Sequence, residues 1–498
     1  LAEKFLKKGF WLYFFSLIIS PTWYIIKIIV SNELSVSEVG ILYGIISLII
    51  LISAYNDLWM SESLKHFIPK FLAKNDYSKV KSILMLALII QIWTALIATW
   101  IFYFWSSFIA EKYFKSSEAL WALKIFAVFF IGFNVLQTFS NFFMSVQDTF
   151  YSKLSDVIRM FWTMWLVIFL LYSDQSSLEN FSIAQVLWVY LWCIAAIISF
   201  YILYYKKYFI WVKASFHKDS IYPILKYALL IIAWTSAGTI LSQIDMQMII
   251  YILGTTEAGY YTNYLSIIGI PFMIIGPIFA FLFPVIAELH GKQEYQSIRN
   301  IKKVLSDIFI SVGIMFNIFF FICAEIIAFT LFGEKFITSW LILQYSILLL
   351  VFNFLLQINF NLLAWIWKIK VNVQIIVSWM FFNIITNIIL INIMWVYGAA
   401  LATGFWWIFI WYFSQRAIEQ KYRASLEYSN IMKNTWVFIT SWAWLYYIVN
   451  SISLYESRLT SFLILWVLFT FWMWIFIIIN YRMFNDFLYE IKKIKWKN

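Results

Sequence analysis

The stretch LSVSEVGILY (Leu34–Tyr43) recurs 219 residues later along the chain as LGTTEAGYYT (Leu253–Thr262). Leucine, glutamate and glycine occupy the first, fifth and seventh positions of both copies. Each copy follows one long apolar run and opens the next, so the two copies lie at equivalent points of a repeating pattern. This repeat predicts a chain built from two similarly folded units.

The composition places this repeat in a membrane protein. The 498 residues are 63% hydrophobic and only 12% charged, whereas soluble domains are nearer half apolar and about a quarter charged. Apolar runs of roughly 20 residues recur from end to end, and a helix of that length crosses a hydrocarbon core of about 30 Å. The sequence therefore predicts an all-α polytopic membrane protein.

Fourteen apolar runs are predicted to span the membrane. They lie near residues 10–30, 38–57, 82–106, 119–144, 153–172, 182–205, 226–251, 258–286, 304–325, 337–363, 371–391, 396–414, 433–450 and 459–480. Lysine and arginine remain preferentially on the cytoplasmic side of a membrane. All but six of the 36 lie on the side of the N terminus, which predicts that both termini are cytoplasmic and that the chain is a multi-pass protein of the cytoplasmic (inner) cell membrane. The six exceptions are Lys112, Lys115, Lys335 and Arg458 on the other side, with Lys27 and Lys124 inside spans.

The repeat divides these spans into two parallel six-helix bundles and two further helices. The predicted boundaries are 1–205 for the N-terminal bundle, 206–225 for a cytoplasmic linker, 226–420 for the C-terminal bundle, and 421–498 for the last two spans and a basic tail. Parallel halves commonly enclose a central substrate cavity and work by alternating access. The organisation therefore predicts a transporter.

The link between the second and third spans carries five lysines from Lys65 to Lys81. Its apolar residues recur at helical spacing, including Leu64, Ile68 and Phe71. This pattern predicts an amphipathic helix at the membrane surface, with the lysines facing anionic inner-leaflet lipids. Membrane topology and anionic lipids therefore account for the net charge of +11, and no nucleic-acid partner is predicted.

Three charged residues inside predicted spans are candidate functional residues, because a charge in the bilayer is costly. Lys27 falls late in the first span, Lys124 at the start of the fourth, and Asp245 late in the seventh. At the repeat offset Asp245 corresponds to Ile26, beside Lys27. The alternatives are a structural Lys–Asp pair, or lysines whose ammonium groups reach the outer interface.

Neutral polar residues form stripes at four-residue spacing on three predicted helices. Such stripes either line a polar cavity or join packed helices by hydrogen bonds of about 0.6 kcal/mol each. The stripes are Gln137 and Asn141, then Asn353, Gln357 and Asn361, and finally Asn383 and Asn387.

Prolines in two predicted spans mark candidate gating helices. A proline removes a helical hydrogen bond and permits a bend, and a static kink is the alternative. The first span carries one proline and the eighth carries three: Pro21, Pro271, Pro277 and Pro284.

Other chemistry is sparse in the sequence. Cys193 and Cys323 both fall inside predicted spans, and the three histidines lie on separate links without metal-ligand spacing. A glycine-rich phosphate-binding loop is missing as well. The sequence predicts no metal, no bound cofactor and no enzymatic activity.

Five stretches of the chain resemble the Wzx-like polysaccharide flippases of the multidrug/oligosaccharidyl-lipid/polysaccharide (MOP) exporter superfamily. They are SVSEVGILYGIISLI, MSESLKHFIPKFLAKNDYSKV, SQIDMQMIIYILGTTEAGYYTNYLSIIGIP, FLFPVIAELHGK and VYGAALATG. The longest, Ser242–Pro271, is the most specific. One departure is Asn32, because many members of the family carry arginine there, near the end of the first span.

The resemblance implies a flippase that moves undecaprenyl-pyrophosphate-linked oligosaccharide to the outer leaflet, for cell-surface polysaccharides such as lipopolysaccharide. It implies a pyrophosphate cradle from Lys27 and Lys124, with Asp245 carrying a coupling proton or sodium ion. Polysaccharide polymerases or ligases are the implied partners. A MurJ-like lipid II flippase, a MATE-like ion-coupled drug exporter and a membrane-embedded oligosaccharide ligase remain as alternatives.

The chain contains 28 tryptophans but only 14 glycines, the reverse of ordinary usage. Members of the family usually have glycine where this chain has Trp59, Trp367 and Trp395. Our hypothesis is that these codons are UGA, which some bacterial lineages read as glycine. The alternative is genuine tryptophan in interfacial aromatic belts.

Overall fold

The computed structural model describes residues 2–56, 58, 60–209, 212–215, 218–365, 369–422, 446–447, 458–481 and 485. Over these residues the backbone forms helices joined by turns and short links, without a strand. Helices satisfy their own backbone hydrogen-bonding groups, as a bilayer interior requires. The predicted all-α class is confirmed.

The chain folds as two compact units, Leu1–Gly259 and Tyr260–Asn498. The helices of the first unit are α1 Ala2–Glu33, α2 Val36–Asn56, α3 Met60–Ala73, α4 Tyr77–Phe104, α5 Ser106–Phe108, α6 Ala119–Ala127, α7 Phe129–Ser145, α8 Thr149–Tyr172, α9 Leu178–Phe200 and α10 Lys218–Ile252. Two π-helical segments, Ile109–Phe114 and Tyr201–Phe209, follow α5 and α9. The six-helix boundaries drawn from the repeat remain predictions.

Helix α11, Thr255–Gly291, begins at the end of the first unit and continues into the second. The later helices are α12 Tyr295–Phe332, α13 Ile337–Ser346, α14 Leu350–Trp365, α15 Ile369–Tyr422 and α16 Arg458–Ile479. The indole Nε1–H of Trp472 on α16 donates to the Met315 carbonyl of α12 at 3.2 Å. Phe469 packs beside it on Phe319, with ring centroids 5.3 Å apart.

Eight helices in the described part of the chain are long and apolar enough to cross a membrane. The number is nine if α6 and α7, bent by 43° at their junction, form one broken span. A multi-pass membrane protein is therefore confirmed. The total of fourteen spans and the cytoplasmic position of both termini remain predictions.

The lysine-rich link folds into α3, and its apolar face packs against protein. Met60, Leu64 and Ile68 are buried in a core cluster with residues of α4, α7 and α9. The expectation that this face lies on the membrane surface is therefore wrong, because α4 and α7 cover it first. Lys65 and Lys70 are exposed, as predicted.

Side-chain caps set where α2 and α4 begin. The Ser35 amide donates to the Glu38 carboxylate at 2.8 Å, and the Glu38 amide donates back to the Ser35 hydroxyl at 3.2 Å. This reciprocal pair is a capping box. The Asp76 carboxylate accepts from the Lys79 amide at 3.1 Å at the start of α4. The repeated glutamate thus has a local structural role in the first copy.

Helix α15 is interrupted at Trp395, where φ is 58° and ψ is −144°. A side chain with a Cβ atom rarely adopts this conformation, which is nearly restricted to glycine. The backbone at Trp395 therefore supports the glycine hypothesis at that position. Trp59 and Trp367 lie outside the described residues.

Candidate functional site

The two copies of the repeat meet in a reciprocal helix crossing in the first unit. A methyl group added at Gly40 of α2 would collide with the Thr255 carbonyl oxygen of α11. One added at Gly259 of α11 would collide with the Val36 carbonyl oxygen of α2. Gly40 and Gly259 are equivalent positions of the repeat, and so are Val36 and Thr255. Each glycine therefore admits the backbone of the other copy.

Hydroxyl groups reinforce this contact, which we call the glycine crossing (Val36, Ser37, Gly40, Thr255 and Gly259). The Ser37 and Thr255 hydroxyl oxygens lie 2.7 Å apart and share a hydrogen bond. The crossing is formed where α2 and α11 begin. Without Cβ atoms at the two glycines, the helices touch backbone to backbone.

Lys27 is buried in the first unit, against α2. Its ammonium nitrogen lies 4.3 Å from the centroid of the Tyr43 ring, and Trp23 meets the same ring edge-on. A cation over an aromatic face recovers about 2 kcal/mol when both are desolvated. Lys27 is only 5% exposed. Its ammonium group therefore does not reach the outer membrane interface, which was one of the alternatives from the sequence.

Gln247 connects its own helix, α10, to α2 and to the π-helical segment Ile109–Phe114. Helix α2 is also the helix against which Lys27 packs. Its amide nitrogen donates to the Ser47 hydroxyl at 2.8 Å and to the Gly44 carbonyl at 3.2 Å. The Tyr113 hydroxyl donates to its amide oxygen at 2.9 Å. Sequence reasoning missed Gln247, because a single uncharged residue outside a stripe gives no signal. Its position two residues after Asp245 was the available hint.

Asp245 and Lys124 lie in the same unit as Lys27. Asp245 is buried on α10, and α10 packs along α2. Lys124 is half-buried on α6, which also contacts α2. Helix α2 is thus the element that the three helices bearing these charges share. A joint pyrophosphate cradle remains a prediction.

The polar stripes form hydrogen bonds largely along their own helices. The Gln357 amide donates to the Asn353 side chain at 3.4 Å, and the Asn387 amide donates to the Asn383 side chain at 3.1 Å. Asn383 and Asn387 are buried, whereas the other members are half-buried: Gln137, Asn141, Asn353, Gln357 and Asn361. A cavity-lining role for the stripes remains a prediction.

The prolines lie within continuous helices. Pro21 is exposed on α1, and Pro271 is buried on α11. The backbone of α11 is helical at the other two positions, and the side chains of Pro277 and Pro284 lie outside the described residues. Gating by these helices remains a prediction.

A model of the family described as polysaccharide biosynthesis protein matches residues 5–290, which include both copies of the repeat and the glycine crossing. The chain belongs to the polysaccharide biosynthesis protein family. One relative is the uncharacterized membrane protein MJ1068 of Methanocaldococcus jannaschii. It is 24% identical over 432 residues, covering 82% of this chain and 83% of the relative.

Solved structures share the fold of this polysaccharide biosynthesis protein. The lipid II flippase MurJ in an inward closed conformation has a TM-score of 0.72 at 15% identity, with 96% of this chain and 98% of that chain covered. An inward-facing multidrug resistance MATE family transporter of the MOP superfamily has a TM-score of 0.61 at 14% identity, covering 87% and 98%. The resemblance to a polysaccharide family, predicted from the residues, is confirmed by the family model, and these structures show that the fold is shared with a lipid II flippase and a MOP superfamily transporter.

Proposed function

We propose that this protein flips an undecaprenyl-pyrophosphate-linked oligosaccharide from the cytoplasmic to the outer leaflet of the inner membrane. Fourteen spans with both termini in the cytoplasm complete the proposed topology, and anionic inner-leaflet lipids contact its basic links. No chemical bond of the substrate changes, so the protein acts as a transporter and not as an enzyme. The oligosaccharide then passes to polymerase or ligase partners in cell-surface polysaccharide biosynthesis.

The glycine crossing is the observation that supports this proposal most directly. Under the proposed topology α2 and α11 begin on the outer side, so the crossing lies at the outer end of the first unit, and we propose it as a gate. The contact rests on two glycines and one hydroxyl pair, without interlocked large side chains at these positions. Such a contact can separate and re-form, which alternating access between parallel repeats requires.

The buried charges match the cargo. A pyrophosphate is an anion that must cross a medium of low polarity, and a lysine inside the unit offsets part of that charge. Lys27 is buried and Lys124 half-buried in the unit that also carries Asp245. We propose Lys27 and Lys124 as phosphate-binding residues and Asp245 as the residue that carries a coupling proton or sodium ion.

Translocation of a fluorescent undecaprenyl-pyrophosphate oligosaccharide in proteoliposomes tests the proposal. We expect Lys27→Met and Asp245→Asn each to slow translocation by about tenfold or more, equivalent to about 1.4 kcal/mol. The matched control is Lys112→Ala, which removes the same charge as Lys27→Met from an exposed lysine. Transport unaffected by all three substitutions would keep the flippase and reject the site.

A lipid II flippase is the second candidate, favoured by the structural likeness to the flippase MurJ. The same vesicles loaded with lipid II distinguish the two cargoes, because our proposal expects faster movement of the oligosaccharide carrier. Efflux of a cationic dye without movement of either lipid would instead identify a drug exporter and refute the proposed function.

A further inference from the structure

Lys302 on α12 is a cation inside the second unit, although its position near the start of a predicted span gave it the role of a topology signal. Its side chain is only 3% exposed. The ammonium nitrogen donates to the Gln415 amide oxygen of α15 at 2.9 Å. An ionisable side chain buried in this way within a membrane protein usually has a function.

Lys302 belongs to a polar cluster that we call the lysine hub: Lys302, Asn359, Ser414, Gln415 and Glu419. The Gln415 amide nitrogen donates to the Glu419 carboxylate at 2.7 Å. The Asn359 amide donates to the Ser414 hydroxyl at 3.1 Å and to the Gln415 amide oxygen at 3.3 Å. One glutamine thus connects a buried ammonium group to a carboxylate.

The first unit has apolar residues at the equivalent positions. Lys302 is the eighth residue of α12, which begins at Tyr295, and Leu84 is the eighth residue of α4, which begins at Tyr77. At the repeat offset of 219, which pairs Lys302 with Ile83, the neighbour of Leu84 in the same cluster, Gln415 corresponds to Ala196. Leu84 and Ala196 are both members of the apolar core cluster of the first unit. The repeated fold therefore does not need a charge at this place.

We infer that the lysine hub is a proton-binding site of the transporter, with Glu419 as the group that takes up the proton. This inference rests on the proposed function. Glu419 is half-buried and lies three residues before the end of α15, on the side that the lysine distribution predicts to be cytoplasmic. The Glu419 carboxylate and one proton from the cytoplasm form a neutral carboxylic acid, and no other bond changes.

Protonation of Glu419 changes the free energy of the hub through Lys302. While Glu419 is ionised, the hub holds one positive and one negative charge connected through Gln415. When Glu419 is neutral, the ammonium of Lys302 loses the compensating charge, and a buried uncompensated charge costs several kcal/mol. Proton uptake therefore favours a conformation in which Lys302 contacts water.

The other charged groups on the packed elements are few. Arg299, Lys303 and Asp307 lie on α12, with Glu325 about six turns further along, and Asp307 is about 140° round the helix from Lys302. Arg416 is exposed on α15 beside Tyr412, and Lys370 and Lys421 lie near the two ends of the same helix. Helix α14, which supplies Asn359, has no charged residue between Leu350 and Trp365. Glu419 is thus the carboxylate bonded to the glutamine that holds Lys302.

Acetylation of lysines in the purified full-length protein tests the inference without any lipid substrate. Glu419→Gln imitates the protonated carboxyl at constant pH, and we expect it to speed acetylation of Lys302 by about fivefold or more. The matched control is Glu325→Gln, which neutralises a half-buried carboxylate on α12 outside the hub and should leave Lys302 protected. The unfolding temperature of each variant in detergent reports whether the fold is kept.

Carbodiimide labelling of Glu419 supplies a second test. Dicyclohexylcarbodiimide reacts with protonated carboxyl groups, so we expect it to label Glu419 in the wild-type protein. We also expect Lys302→Leu to increase labelling at neutral pH, whereas Lys303→Leu, which removes an exposed neighbouring lysine, should not.

Two results would overturn the inference: Lys302 equally protected in wild type and Glu419→Gln, or labelling of Glu419 by the carbodiimide that Lys302→Leu does not increase. Neither measurement depends on transport. A hub that behaves as expected in a protein that moves no lipid-linked sugar would refute the proposed cargo alone, and the reverse pattern would refute the hub alone.

Discussion

The two copies of the repeat agree at one place and differ at another. At the glycine crossing they are alike, because Gly40 and Gly259 each admit the backbone of the other copy. In the core they differ, because Leu84 packs among apolar residues whereas its counterpart Lys302 is held by Gln415.

The difference separates what the fold requires from what function adds. A close backbone contact between the copies needs a glycine on both sides, so neither copy tolerates a larger residue there. A core position accepts any residue that fills it and satisfies its polar groups. The glycine that both copies share marks the contact between them. The core position that is Leu84 in one copy and Lys302 in the other marks a charge that the fold does not require.

The largest expected effect is the loss of the glycine crossing. Gly40→Val and Gly259→Val each place a side chain into a backbone carbonyl, which should cost the closed contact about 4 kcal/mol, or about a thousandfold. Oxidative cross-linking of Ser37→Cys to Thr255→Cys measures the closed population, in a background without Cys193 and Cys323. Gly238→Val is the matched control, because no atom lies near the added carbon. Unequal effects of Gly40→Val and Gly259→Val would contradict the view that the two copies contribute equally to the crossing.

Exchange of the core residues should have the next largest effect. Leu84→Lys puts an unpaired charge into an apolar cluster and should destabilise the protein by about 3 kcal/mol. Lys302→Leu combined with Glu419→Gln removes both charges of the hub and should cost less than about 1.5 kcal/mol. Thermal unfolding in detergent compares the two. Equal stability of both proteins would mean that the two cores are interchangeable.

Trp395→Gly should stabilise the protein by about 1–3 kcal/mol, because glycine adopts the observed φ of 58° without strain. Trp407→Gly is the matched control in the same helix: this residue is buried, so its removal should leave a cavity and lower the unfolding temperature. A lower unfolding temperature for Trp395→Gly would count against glycine at this position. The codon itself, UGA or UGG, can be read from the gene.

The smallest expected effect concerns the first turns of α4 and α12. The Asp76 carboxylate accepts the Lys79 amide, whereas Glu294 caps no amide of α12. Asp76→Ala should therefore cost about 1 kcal/mol and Glu294→Ala almost nothing, measured as amide hydrogen exchange in the two first turns. Equal exchange in both turns would contradict this assignment of the caps.

The pH dependence of that effect follows from the charge on Asp76. The side-chain hydrogen bond from Lys79 lowers the pKa of Asp76 below its ordinary value. A carboxyl group whose pKa is lower in the folded state stabilises the protein above its ordinary pKa and loses this contribution as the pH falls. The difference between wild type and Asp76→Ala should therefore decrease as the pH falls below about 4.

Much of the fold could be predicted because it depends on local pattern. Apolar runs predicted the helices, and the repeated leucine, glutamate and glycine predicted where the copies correspond. The structure supplies the reason for two of these identities: Glu38 caps α2, and Gly40 admits Thr255. Trp395 was singled out by the resemblance, and its backbone conformation agrees with glycine.

The site was less predictable because it depends on which helices meet. Lys302 looked like a basic residue of a link, and its burial depends on α12 packing beside α14 and on the hydrogen bond to Gln415 of α15. Gln247 gave no signal, since its partners Ser47 and Tyr113 are distant in sequence. The apolar face of α3 was recognised, but whether lipid or protein covers it cannot be read from one helix.

Cross-linking of the glycine crossing during transport tests the central claim most directly. The Ser37 and Thr255 hydroxyl oxygens are 2.7 Å apart, so cysteines at these positions should form a disulfide in the closed state. We predict that the disulfide stops translocation of the lipid-linked oligosaccharide in proteoliposomes, and that a reductant restores it. Full translocation with the disulfide intact would show that the crossing need not open, and would contradict this account.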